Sequence, residues 1–88
     1  MLHRVVVYSK EGCHLCERAI STLSELSGQK TFQLQILDIA KDEKLFEKFS
    51  VEIPVVEVDG KVVFRASDIS ALSDIERKIT GIILELNN

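Results

Sequence analysis

The chain has 88 residues, a net charge of −3 and a hydrophobic content of 45%. That is the size of a single domain spanning 1–88, with apolar side chains for one modest core. Eleven basic residues are spread among fourteen acidic ones without a basic stripe, which argues against nucleic acid as a partner. No apolar stretch reaches 18 residues, so no membrane partner is expected. Met1-Leu2-His3-Arg4 runs straight into a strand-like segment without an apolar signal region, which predicts a cytoplasmic protein.

Residues 3–8 form a β-branched run, His3-Arg4-Val5-Val6-Val7-Tyr8, that reads as a buried strand. Ser9 to Gly12 read as a loop. A helical pattern follows from Cys13 to Leu26, with Cys16, Ala19, Ile20, Leu23 and Leu26 on one face. Gly28 marks its end. Residues 31–37 alternate, Phe32, Leu34 and Ile36 on one side, which is strand period. Lys41 to Phe49 read as a short helix with Leu45, Phe46 and Phe49 inward. Two short apolar runs, 55–58 and 62–64, flank Asp59-Gly60, a strong hairpin signal. Ser67 is placed to cap a last helix carrying Ile69, Leu72, Ile75 and Ile79. Gly81 either ends that helix or lies within it. The order β-α-β-α-β-β-α predicts an α/β fold: a four-stranded mixed sheet with helices on both faces, its first two strands parallel through a right-handed crossover.

The chain's two cysteines, Cys13 and Cys16, stand three apart at the start of the first helix. Residues three apart share a helix face, so the two sulfurs can close a small ring without large backbone movement. Cys13 falls where unpaired backbone N–H groups and the helix dipole favour a thiolate. A reactive thiol with a second thiol beside it is the minimum equipment for thiol–disulfide exchange. The alternative is a pair of inert buried thiols, which would not require the helix-opening position. Lys10 should lower the Cys13 pKa, while Glu11 and Glu17 should raise it. His14 reads as a residue that tunes Cys13 or carries a proton near neutral pH, against a solvated helix-start residue. Leu15 reads as an apolar contact for a partner, against a rim residue. Lys10 and Arg65 are candidates to grip a substrate carboxylate, against simple solvated cations. Tyr8 and His3 read as strand residues, and Phe32, Phe46, Phe49 and Phe64 as core.

The segment Tyr8-Ser9-Lys10-Glu11-Gly12-Cys13-His14-Leu15-Cys16 resembles the active-site start of glutaredoxins, especially glutaredoxin-like proteins with a CHLC centre. Ile53-Pro54-Val55-Val56-Glu57-Val58-Asp59-Gly60-Lys61 resembles the family's proline loop and hairpin. The two motifs have the family's order and separation, and the likeness covers nearly the whole chain. The resemblance implies a thioredoxin-like fold, a cis bond before Pro54, Cys13 as the attacking thiol and Cys16 as the resolving thiol. It implies that Ile53 and Pro54 border the groove where a substrate's backbone docks. Phe64-Arg65 replaces the Gly-Gly pair of members that bind glutathione tightly, and Asp68 falls near their acidic position. The resemblance therefore carries the dithiol chemistry without carrying tight glutathione binding.

The expected function is a thiol–disulfide oxidoreductase that reduces protein or small-thiol mixed disulfides. Its partners would be that substrate and an external reductant, either glutathione or a reductase. It would need no metal or organic cofactor, with glutathione at most a co-substrate, and a monomer is the default. Two other readings compete. A metal or cluster module is disfavoured because two cysteines leave two of four ligand positions empty. A thioredoxin-like peptide-binding domain without turnover would use the groove formed by Leu15, Ile53, Pro54 and Arg65.

Overall fold

The computed structural model describes residues 2–30, 32–68 and 74–86. The strands are β1 (His3–Ser9), β2 (Phe32–Asp38), β3 (Val55–Val58) and β4 (Lys61–Arg65). The helices are α1 (His14–Ser27), α2 (Glu43–Phe49) and α3 (Ile75–Leu84), with 3-10 turns at Ile39–Lys41 and Ala66–Asp68. The strands form one mixed sheet in the order β2-β1-β3-β4. β1 pairs parallel with β2 and antiparallel with β3, and β3 pairs antiparallel with β4. This is the thioredoxin fold.

The central strand β1 is buried on both faces, which its unbroken apolar run requires. Val5 and Val7 pack under α1 and α3 with Ala19, Leu23, Val56, Phe64, Ile75, Ile79 and Ile83. Val6 and Tyr8 face the other way and pack with Ile39, Phe49 and Val55 beneath α2. Arg18 on α1 grips Glu76 on α3 with two hydrogen bonds, of 2.7 and 2.6 Å, so the two helices above the sheet are also joined by charge. Asp59 and Gly60 both take positive φ, 52° and 86°, which suits a two-residue turn whose twist matches the strands. The Asp59 carboxylate accepts the Arg4 N–H and contacts His3 Nδ1, tying the hairpin to the start of β1.

Two expectations change, at Phe46 and Ser67. Phe46 is 42% exposed and outside the core. Leu45 and Phe49, one turn apart, already turn the inner face of the seven-residue α2 to the sheet, and Phe46 lies a further step around it. Ile36 is 48% exposed because β2 is an edge strand whose far end has little cover. Ser67 lies inside a 3-10 turn, and α3 begins at Ile75 behind Asp74; the expected positions Ile69 and Leu72 lie outside the described residues. Of the two places open to Gly81, it takes the one within α3, which continues to Leu84. β4 also carries an irregularity: Val56 pairs with Phe64 but Glu57 with Val62, so Val63 is an extra residue in the ladder.

Candidate redox site

One row of the ladder defines where the site lies. Leu37, Tyr8, Val55 and Arg65 are neighbours across β2, β1, β3 and β4. Beyond that row four segments join or leave the sheet: Lys10 to Cys13 after β1, Ile39 to Asp42 after β2, Glu52 to Pro54 before β3, and Ala66 to Asp68 after β4. The two cysteines, the proline loop and the segment after β4 are thus gathered at one sheet end, although they are far apart in sequence.

Gly12 has φ +83°, a value glycine adopts without penalty, and this turn delivers the chain to α1. The Cys13 N–H bonds the Lys10 carbonyl at 3.3 Å, and the Cys13 carbonyl accepts the first helical bond from Glu17 at 3.1 Å. Cys13 has extended backbone angles and is the N-cap of α1. Its sulfur accepts the Cys16 N–H at 3.2 Å, so a cysteine occupies the position usually held by serine or aspartate. Cys13 and Cys16 are joined as a disulfide with Cα atoms 5.2 Å apart. Cys13 is half-buried and Cys16 is 1% exposed. When the bond is reduced, the accessible sulfur is the one at the helix N-terminus, where N–H groups and the dipole favour its anion.

The other predicted residues are placed as follows. The His14 side chain is 95% exposed, with Nδ1 3.7 Å from the Glu17 carboxylate. Leu15 is half-buried and packs against the core under α1. Lys10 is exposed, and its ammonium lies 5.7 Å from the centre of the Phe46 ring. The Ile53–Pro54 bond is cis, and Pro54 is fully buried. Ile53 packs on the core beneath α2 and gives its N–H to Phe49 O at 3.1 Å. Arg65 is engaged: Nε bonds Glu52 at 3.2 Å and Nη1 lies 4.0 Å from Asp68. Its charge is therefore shared with two carboxylates of the protein itself.

Two residues at this end escaped the sequence reading. Phe46 holds Lys10, which only its exposed position permits. Glu52 holds Arg65, a pairing visible only once the ladder sets Arg65 opposite Val55. Below the site, the rings of Tyr8 and Phe49 lie 4.6 Å apart. Burial pushes the Tyr8 phenol up to about 12, helped by its hydrogen bond to the Glu57 carboxylate. Among the described residues no group of three or more His, Cys, Asp or Glu side chains could hold a metal ion. No helix among them is long and apolar enough to cross a membrane.

A helix-capping cysteine pair and a cis-proline loop at one end of this sheet define a thioredoxin-fold protein of the thiol–disulfide redox class. Residues 4–80 match the family model described as Glutaredoxin-like domain (DUF836), and the chain belongs to that family. Among curated proteins, the N-acetyl-S-hydroxy-L-cysteine reductase of Bacillus subtilis (strain 168) is 37% identical over 59 residues. The match covers 61% of this chain and 59% of that protein, a little over half of each. Protein Ne2328 from Nitrosomonas europaea, solved by NMR, superposes with a TM-score of 0.69 at 26% identity, over 94% of this chain and 92% of that one. The germline-specific thioredoxin Deadhead from Drosophila melanogaster superposes with a TM-score of 0.61 at 20% identity, over 98% of this chain and 82% of that one. At that identity the second likeness concerns the fold.

Proposed function

We propose that the protein is a dithiol oxidoreductase that reduces mixed disulfides of proteins or small thiols. The Cys13 thiolate attacks one sulfur of a substrate disulfide, forms a Cys13–substrate bond and expels the other half as a thiolate. Cys16 then attacks the Cys13 sulfur, releasing the second thiol and leaving the Cys13–Cys16 disulfide. Two electrons pass from the protein to the substrate, and an external thiol or reductase restores the dithiol. No metal or organic cofactor takes part.

The observation that carries this reading is the asymmetry of the pair. Cys13 caps the helix and is reachable, while Cys16 is buried directly behind it. An attacking and a resolving thiol need just that difference in access. The name of the Bacillus subtilis relative, a reductase of an S-hydroxylated cysteine derivative, adds support for oxidised sulfur as the electron acceptor. The engagement of Arg65 by Glu52 and Asp68 argues for a substrate held mainly by backbone and apolar contacts at Leu15, Ile53 and Pro54. Lys10 is an exposed cation for a substrate carboxylate, and the external reductant is glutathione or a reductase, with glutathione not a tightly held ligand.

The test is equilibration in glutathione buffers of defined potential, with Cys16→Ser in parallel. The expected result is a reversible two-electron transition and a mixed disulfide trapped on Cys13 in the variant. Thiols that stay unreactive in the native state would overturn the reading and favour a binding domain without turnover.

A further inference from the structure

We propose that Arg65 is a positioning residue: through Glu52 it holds the 52–54 loop against the dithiol end of the sheet, and does not itself meet the substrate. The inference rests on the dithiol-exchange reading, in which that loop borders the docking groove.

Beyond the burial of Pro54 and the packing of Ile53 on the core, the loop has few polar fixings. Val51, which precedes it, is 88% exposed and packs on nothing that could anchor it. Pro54 has no N–H to give. On the α2 side the loop is tied by the Glu52 and Ile53 N–H groups, which both bond Phe49 O, at 2.8 and 3.1 Å. On the β4 side it is tied by one backbone donor: the Ala66 N–H is shared between Glu52 O at 3.2 Å and Pro54 O at 3.1 Å. A shared donor is a weak tie for a segment that must hold a fixed distance from Cys13.

The Arg65–Glu52 bond supplies what is missing. Arg65 starts from a rigid base, because its backbone pairs with Val55 in the ladder one residue after Pro54. Its side chain crosses to Glu52, on the other side of the proline, at 3.2 Å. The bond thus brackets Ile53 and Pro54 between two points fixed to β4. Both side chains are partly shielded, Arg65 39% and Glu52 29% exposed, so the pair is less screened than a typical surface pair. Asp68, 67% exposed and 4.0 Å away, is a secondary partner. The Nε–H used in this way is not offered to a substrate carboxylate.

The experiment is a single-turnover measurement on the reduced full chain. The probe is a cysteinyl peptide in mixed disulfide with 2-mercaptoethanol, and enzyme oxidation is followed against probe concentration. Arg65→Gln and Glu52→Gln should each raise the half-saturating concentration by roughly three- to tenfold, with a much smaller change in the limiting rate. The double variant should be no worse than either single one, because both remove the same bond. Arg65→Lys should recover part of the loss, and Asp68→Asn should have little effect. The thiolate titration of Cys13 should stay where it is. Amide exchange gives a readout independent of redox activity: in Arg65→Gln the Ala66 amide should exchange several-fold faster while the Val5 and Val7 amides do not. Additive losses in the double variant, a shifted Cys13 titration, or an unchanged Ala66 amide would each overturn the positioning role. A wild-type protein that the probe does not oxidise would overturn the dithiol reading instead, and the Ala66 amide would then decide the clamp alone.

Discussion

Tyr8 offers a stringent test of the packing beneath the site. It is the chain's one tyrosine, and there is no tryptophan, so tyrosinate absorbance reports this residue alone. Burial first, then the Glu57 carboxylate that accepts its hydrogen bond, moves the phenol from 10.0 to about 12. The neutral form is thus preferred by the fold. Its contribution to stability is fully present below the unfolded value near 10 and is lost as pH rises through 12. At pH 11 an unfolded tyrosine is about nine-tenths ionised and the folded one about one-tenth. The difference corresponds to about 1 kcal/mol of lost stability, approaching about 3 kcal/mol well above pH 12. Because Tyr8 is 8% exposed, solvent screening takes little from this figure. Urea unfolding should show the midpoint falling by about 1 M between pH 9 and pH 11. Tyr8→Phe should flatten that fall, and Glu57→Gln should move the absorbance titration downward. A folded protein whose tyrosinate appears near pH 10 would refute the burial of the phenol.

The remaining predictions follow from packing, backbone and charge. Phe49→Ala should cost about 3–5 kcal/mol by denaturant unfolding, whereas Phe46→Ala should cost under about 1 kcal/mol, since one ring is buried and the other lies at the surface; equal costs would contradict the orientation of α2. Gly60→Val should lower stability by about 1 kcal/mol or more, because φ there is +86°; an unchanged melting temperature would show that the turn has another form. The Arg4 N–H, followed by His3, holds the Asp59 carboxyl below its usual value. Its stabilising effect is therefore present above pH 4 and is lost as pH falls through the depressed value. Asp59→Asn should remove that part of the acid dependence in a melting series from pH 5 to pH 2.

What could be read from the sequence was what short-range chemistry decides. The Val5–Val7 run, the cysteine spacing and the Asp59-Gly60 turn each depend on residues within one helical turn or one hairpin. Apart from the helix cap expected at Ser67, what was missed depends on what lies across the fold. Phe46 has the spacing of a core residue, but a short helix over one end of a sheet buries only one edge of its apolar face. Ile36 alternates correctly, yet its strand is at an edge with little above it. Val63 looks like an ordinary strand residue, and the extra step it makes in β4 exists only relative to β3. The ion pair of Arg65 with Glu52 was not legible either, because its partner, thirteen residues earlier, comes beside it only through the β3–β4 register.

The two ends of the sheet divide the work. At one end the Asp59 side chain fastens the hairpin to β1, and at the other all four connecting segments are loops, caps or 3-10 turns. A rigid sheet presenting its chemistry on the loops of one end is a common solution, because loops can offer backbone groups that a strand must spend on its neighbours. In the proposed dithiol exchange the arrangement also orders the steps. Cys16 is 1% exposed and cannot meet a large disulfide first. Cys13, at the helix cap, can. Once Cys13 has taken the substrate, Cys16 is already one helical turn away, with Cα atoms 5.2 Å apart. The second step then needs no motion of α1, whose far face is held to α3 by Arg18 and Glu76. The proposed intermediate is then short-lived for a geometric reason, and removing the Cys16 sulfur should make it last.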